Sequence, residues 1–130
     1  MLMSGRSKHR VLADAADRLA EARRLSRDED ACARIAETFR ALAEPSRVRI
    51  VDALLHQELC TSDLAEIIGL SEPAVSQHLR TLRMLRVVRS HRHGHRVFYA
   101  LDDDHVRRLL TLTAEHLEHG GTRAIDAAAG

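Results

Sequence analysis

Apolar residues recur at helical spacing along most of the chain. Leu12, Ala15, Ala16, Leu19 and Ala22 mark one side of a helix over residues 11–25. Residues 26–30 form a charged break, with acids placed to start the next helix. That helix runs to about residue 43, with Ile35, Phe39 and Leu42 at spacings of three and four. Glu44-Pro45-Ser46 stops it and opens a third. Val48, Ile50, Val51, Leu54 and Leu55 make the third helix apolar on most sides, which predicts the central core helix. Two short helices follow, over about 62–68 and 72–85, separated by Gly69-Leu70-Ser71. The period then changes. Val87-Val88 and Val97-Phe98-Tyr99-Ala100 read as strands, with a glycine-bearing tip at Arg92-His93-Gly94-His95. A last helix starts near residues 102–104 and runs to about 119, where Gly120-Gly121 stops it. The expected fold class is mainly α with a small β-hairpin (α+β). Residues 1–10 are expected to be a disordered arm, 11–119 one folded domain and 120–130 a flexible tail.

At 130 residues the chain fits a single domain. Phe39, Phe98 and Tyr99 are its only aromatic residues other than histidine, so aliphatic side chains must fill the interior. That composition suits short packed helices and a fold that gains stability by dimerising. Two cysteines, Cys32 and Cys60, make no disulfide framework and fit a reducing compartment. No apolar run approaches a membrane span, and the basic N-terminus lacks the apolar core of a signal peptide. A soluble cytoplasmic protein without a membrane partner is expected.

Net charge is close to neutral, but its distribution is not. Between Glu72 and Arg96 stand six arginines (80, 83, 86, 89, 92 and 96) and the single acid Glu72. A basic block inside a neutral chain is the footprint of a polyanion. Helix, three-residue turn, helix and hairpin follow one another in the order of a winged helix-turn-helix. Ala65, Gly69 and Val75 suit close approach, tight turn and plug between the two helices, and Ser71 suits the N-cap of the second. At about 100° per residue, Val75, Leu79 and Leu82 fall on a buried side. Ser76, Gln77 and Arg80 fall on the other. Gln can bond adenine and Arg guanine bidentately, and Ser suits a base edge or a phosphate. Arg83 extends the positive face, and Arg92 and Arg96 at the wing reach the backbone or minor groove. Operator double-stranded DNA is the expected partner.

Six of the nine histidines fall between His91 and His119. The last helix carries Asp103, His105, His116 and His119, all of types that ligate zinc, cobalt or nickel. His116 and His119 are three apart, so both rings can address one ion. His105 and His116 share a face but stand roughly 16 Å apart along the axis. One ion cannot touch both within a chain. Either each chain holds two weak half-sites, or two antiparallel helices in a homodimer set Asp103 and His105 against the partner's His116 and the partner's His119. The stripe Val106, Leu109, Leu110, Thr113 and Leu117 is the expected seam of that dimer.

The chain resembles the ArsR/SmtB family of metal-sensing repressors. The resemblance rests on Ala41-Leu-Ala-Glu-Pro-Ser-Arg-Val-Arg-Ile50, Glu58-Leu-Cys-Thr-Ser-Asp-Leu-Ala65, Ser71-Glu-Pro-Ala-Val-Ser-Gln-His-Leu-Arg-Thr-Leu82 and Val97-Phe-Tyr-Ala-Leu101. It covers roughly residues 35–119. It implies a metal-free dimer that holds an operator and releases it on binding metal. The spacing of Asp103, His105, His116 and His119 is similar to the C-terminal helix site of the family's zinc and nickel/cobalt sensors. The resemblance also implies a possible second, thiolate site, matched in part by Cys60 and Asp63, with His9 able to complete it. Ser62 stands where that site's vicinal cysteine would be, and Cys60 also reads as a small core residue.

The alternative function is a winged-helix repressor driven by thiol redox through Cys32 and Cys60, although both are expected in helical, apolar surroundings. An enzyme is not expected. The chain has no nucleophile motif, no glycine-rich phosphate loop and no water-activating carboxylate beside an open three-ligand site.

Overall fold

The structure is a computed structural model that describes residues 14–121. The expected arm at 1–10, His9, the start of the first helix and most of the expected tail lie outside the described residues. The chain divides into two units, up to Ile35 and from Ala36.

In the first unit, helix α1 (Ala15–Leu25) is capped by Asp14, whose Oδ1 accepts the N–H of Ala16 at 2.9 Å. Helix α2 (Glu29–Leu42) opens on Asp28, which accepts from Ala31 at 2.8 Å, and crosses the boundary between the units. No residue of α1 is buried, and Leu19 is 53% exposed. The described residues of the apolar side predicted for α1 are therefore exposed. Cys32 is exposed on α2, which corrects the expectation of apolar surroundings.

The second unit holds the core. Helix α3 (Pro45–Ala53) buries Ile50 and Val51, and Leu54 just beyond it is buried as well, as its all-round apolar pattern predicts. Around it pack α4 (Thr61–Ile68) through Leu64 and Ile68, and α5 (Glu72–Met84) through Val75, Leu79 and Leu82. Gly69 ends α4 with φ +79°, a left-handed conformation that a Cβ disfavours. Beyond α5, the Val87 N–H donates to the Leu82 carbonyl at 2.8 Å and the Arg86 N–H to the Arg83 carbonyl at 3.0 Å. This is a Schellman stop, and Val87 and Leu82 are both buried in the core. Its left-handed position is held by Arg86 at φ +59° in place of the usual glycine.

The sheet corrects the expectation of a lone hairpin. It has three antiparallel strands in the order β1 (Leu59–Cys60), β3 (Arg96–Leu101), β2 (Val88–His93). Two residues are too few to show alternation, so β1 leaves no sequence pattern. The hairpin is also longer than predicted, because the residues of β2 beyond Val88 are polar and mostly wet. Its turn narrows to Gly94-His95, with Gly94 at φ +69°.

Helix α6 (Asp104–His116) ends earlier than expected and passes into a π-helical turn, Leu117–Gly121, which carries His119 and the two glycines. Val106 and Leu110 are partly buried against the chain's own core, so part of the expected seam stripe is already covered within the chain. Leu109 remains half-buried, and Leu112 and Leu117 are exposed. Among the described residues no helix is long and apolar enough to cross a membrane.

Candidate nucleic-acid interface and metal centre

The face of α5 opposite Val75, Leu79 and Leu82 carries Ser76, Gln77, Arg80 and Arg83, all exposed. Ser71 caps this helix by accepting the Ala74 N–H at 3.2 Å. Ser76, Arg80 and Arg83 line one cleft with Leu79, Met84 and Tyr99, between α5 and strand β3. The helix is also anchored from its inner side. Arg47 on α3 donates from Nε to His78 Nδ1 at 3.1 Å, and His78 Nε2 faces Glu44 Oε2 at 3.6 Å. Glu44 itself accepts the Arg47 N–H at 3.2 Å. Desolvation pushes the Glu44 carboxyl up, but the N–H groups of Ser46 and Arg47, with His78 and Arg47 as neighbours, outweigh it and hold the carboxyl below the ordinary range. Arg49 closes α4 by donating to the carbonyls of Ile68 at 2.8 Å and Ile67 at 3.2 Å.

On the wing, Arg92 in β2 and Arg96 in β3 are exposed. His91 stacks on Phe98 with ring centres 6.0 Å apart and makes a close contact with Glu58. Arg96 lies beside the start of α4. There the Cys60 thiol donates to Asp63 at 3.1 Å, and the Cys60 N–H donates to the same oxygen at 3.2 Å. These two bonds, with the Arg96 charge, hold the Asp63 carboxyl below its usual range against desolvation. Cys60 is buried and is used here as part of the N-terminal cap of α4. Cys32 stands on α2, in the other unit.

Asp103 caps α6. Its Oδ1 accepts the N–H of His105 at 2.9 Å and of Val106 at 3.3 Å, and its Oδ2 lies 3.5 Å from His105 Nδ1. Desolvation raises its pKa. The Val106 N–H, the His105 ring and the His105 N–H outweigh that, and the carboxyl titrates low. At the other end of the helix, His119 Nδ1 donates to the Glu115 carbonyl at 2.8 Å. A carbonyl can only accept, so Nδ1 carries the donated proton and Nε2 stands outside this bond. The structure thus brings Asp103 together with His105. Among the described residues no group of three or more ligand-type side chains meets within the chain.

Residues 44–90 match the family described as "Bacterial regulatory protein, arsR family". The chain is 48% identical over 89 residues to the transcriptional repressor SmtB homolog of Synechocystis sp., covering 68% of this chain and 67% of that protein. The chain belongs to the ArsR family. It is 42% identical over 77 residues to the cadmium resistance transcriptional regulatory protein CadC homolog of Staphylococcus aureus, covering 58% of this chain and 64% of that one. Its fold is similar to the homodimeric winged helix-turn-helix DNA-binding domain Mb0332 of Mycobacterium bovis, with a TM-score of 0.64 and 28% identity, over 73% of this chain and 94% of that chain.

Proteins of the ArsR family regulate transcription, so this chain is a DNA-binding regulator with a winged helix-turn-helix and not an enzyme. Three side chains of this ArsR-family fold have roles that the sequence pattern does not show. Arg47 and His78 are 31 residues apart, and no local period relates them. Arg89 was legible only as one more positive charge in the wing, whereas it bonds backbone at the start of α6.

Proposed function

We propose that the chain is a homodimeric, cytoplasmic repressor that holds operator DNA while metal-free and releases it on binding zinc, with cobalt or nickel as alternatives. Asp103 and His105 of one protomer, with the partner's His116 and the partner's His119, would hold the ion. Bound there, the metal supplies a cross-link between protomers.

The observation that carries this reading is the pairing of Asp103 with His105. Their facing donor atoms are 3.5 Å apart, and ligands at about 2.0–2.1 Å around a tetrahedral ion stand about 3.4 Å from one another. Oδ1 is spent on the helix cap, which leaves Oδ2 for the ion. His119 adds support, because a ligating imidazole usually donates its other N–H to a fixed acceptor, here the Glu115 carbonyl. The cadmium-resistance name of one relative is that of a regulator tied to a metal response. The uncovered apolar side chains of α1 and of α6, Leu19 and Leu112 among them, support the homodimer. Ser76, Gln77, Arg80 and Arg83 would enter the major groove, with Arg92 and Arg96 on the flanking backbone.

The exposed thiol of Cys32 and the buried, hydrogen-bonded thiol of Cys60 do not favour the redox alternative. Cys60 and Asp63 would make at most a partial second metal site, since each already serves the α4 cap. The test uses duplexes selected from random sequence by the metal-free protein. Zinc, cobalt and nickel are then titrated at matched free concentration. Wild type should release the duplex and His116→Ala should retain it. If His116→Ala leaves DNA as readily as wild type, the site assignment is wrong.

A further inference from the structure

Arg89 stands in the basic run of the wing, but its guanidinium is committed elsewhere. Nη1 donates to the Leu101 carbonyl at 3.2 Å and to the Asp102 carbonyl at 3.1 Å. These are the last two carbonyls before Asp103. The backbone of the same strand grips the same turn, since Val88 and Arg89 pair with Leu101 and Ala100. The Asp102 N–H donates to the Val87 carbonyl at 3.0 Å. Arg89 and Asp103 also line one cleft of about 270 Å³ together with His56 and Arg107.

We propose that Arg89 is a positioning residue for the metal half-site, clamping the turn that carries Asp103 and His105 onto wing strand β2. The proposal rests on the metal-dependent reading given above. Peptide units are planar, so fixing two successive carbonyls fixes the plane from which Asp103 departs. The aim of its Oδ2 is set accordingly. A guanidinium suits this role because it stays charged, and charge-assisted bonds are the stronger ones. The clamp has a second consequence. A shift at the start of α6 is passed to β2, which also bears Arg92, so this side chain adds to the strand pairing in coupling ion binding to wing position.

Chelator competition gives zinc affinity for wild type, Arg89→Met and Arg92→Met, and each is also tested for operator binding without metal. Arg92→Met removes the same charge from the same strand without touching the clamp. Arg89→Met should bind zinc about 10-fold more weakly, while Arg92→Met matches wild type. Arg92→Met should lose metal-free operator affinity, as expected for one lost phosphate contact, and Arg89→Met, whose guanidinium bonds backbone, should lose less. Wild-type zinc affinity in Arg89→Met, or an equal loss in Arg92→Met, overturns the proposal. If Arg89→Met does not fold by circular dichroism, Arg89→Lys decides. It keeps the charge on a shorter arm, and wild-type zinc affinity in it likewise overturns the clamp. A wild type that binds no zinc, cobalt or nickel ends both readings. A wild type that releases operator on zinc, with Arg89→Met indistinguishable from it, ends this one alone.

Discussion

Arg47 Nε lies 3.1 Å from His78 Nδ1, a bond that ties the start of α3 to the middle of α5. Arginine can only donate, so Nδ1 is the acceptor in this bond and the Nε2 side of the ring faces Glu44. His78→Leu removes the acceptor and leaves a half-buried guanidinium N–H unpaired. The expected cost is about 1–3 kcal/mol. Thermal melting should show it as a clear drop in Tm. Operator affinity of the folded fraction should fall too, because α5 loses an anchor beside Gln77 and Arg80.

Asp103 serves two purposes with two oxygens, so its variants should separate them. Asp103→Asn keeps an N-cap acceptor and should melt close to wild type, whereas Asp103→Ala should lose roughly 0.5–2 kcal/mol. Both lose the anionic ligand and should bind zinc at least about 10-fold more weakly in chelator competition, a fall at the low end of what lost metal-site support causes. An Asp103→Asn chain with undiminished zinc affinity would remove Asp103 from the ligand set.

Arg86 occupies a left-handed position, which costs L-residues roughly 1–2 kcal/mol. Arg86→Gly relieves that strain but adds freedom to the unfolded chain, worth about 0.4–1 kcal/mol. The net expectation is a gain of several tenths to about 1 kcal/mol, seen as a higher Tm. Denaturant titration at fixed pH checks it. A lower midpoint with unchanged slope contradicts the strain argument.

The exposed polar face of α5 and the wing should differ in kind when cut. Gln77→Ala and Arg80→Ala should each cost about 1–3 kcal/mol on the selected operator and relax preference at one base position. Arg92→Ala and Arg96→Ala should weaken binding to all duplexes alike and reduce the salt slope by about 1 each. Binding isotherms over a range of salt concentrations separate the two patterns.

Glu44, Asp63 and Asp103 all titrate lower in the folded chain than in an unfolded one. The unfolded state therefore takes up protons first as pH falls. Stability from these groups is fully present above the ordinary carboxylate values, about 4, and is lost as pH drops through the folded values. Tm should be level on this account above about pH 5 and decline below about pH 4. Asp63→Asn should flatten part of that decline. A Tm that rises between pH 5 and pH 3 has the opposite sign and refutes it.

The positions of α3, α4 and α5, the buried trio Val75, Leu79 and Leu82, and the Ser71 cap could all be read from the sequence. Each is decided within a turn or two of chain, by spacing or by a side chain reaching the next N–H. The same locality made Asp103, His105, His116 and His119 recognisable as ligand types, and Ser76, Gln77 and Arg80 as one exposed face. Tertiary structure alone decided which residues meet across long separations. It paired β1 with β3, packed Val106 and Leu110 against the chain's own core, set Arg47 against His78, and drew Arg89 onto the turn before Asp103. Periodicity marks a side chain as apolar or charged. Its partner depends on how distant elements pack, and that information lies outside any local window.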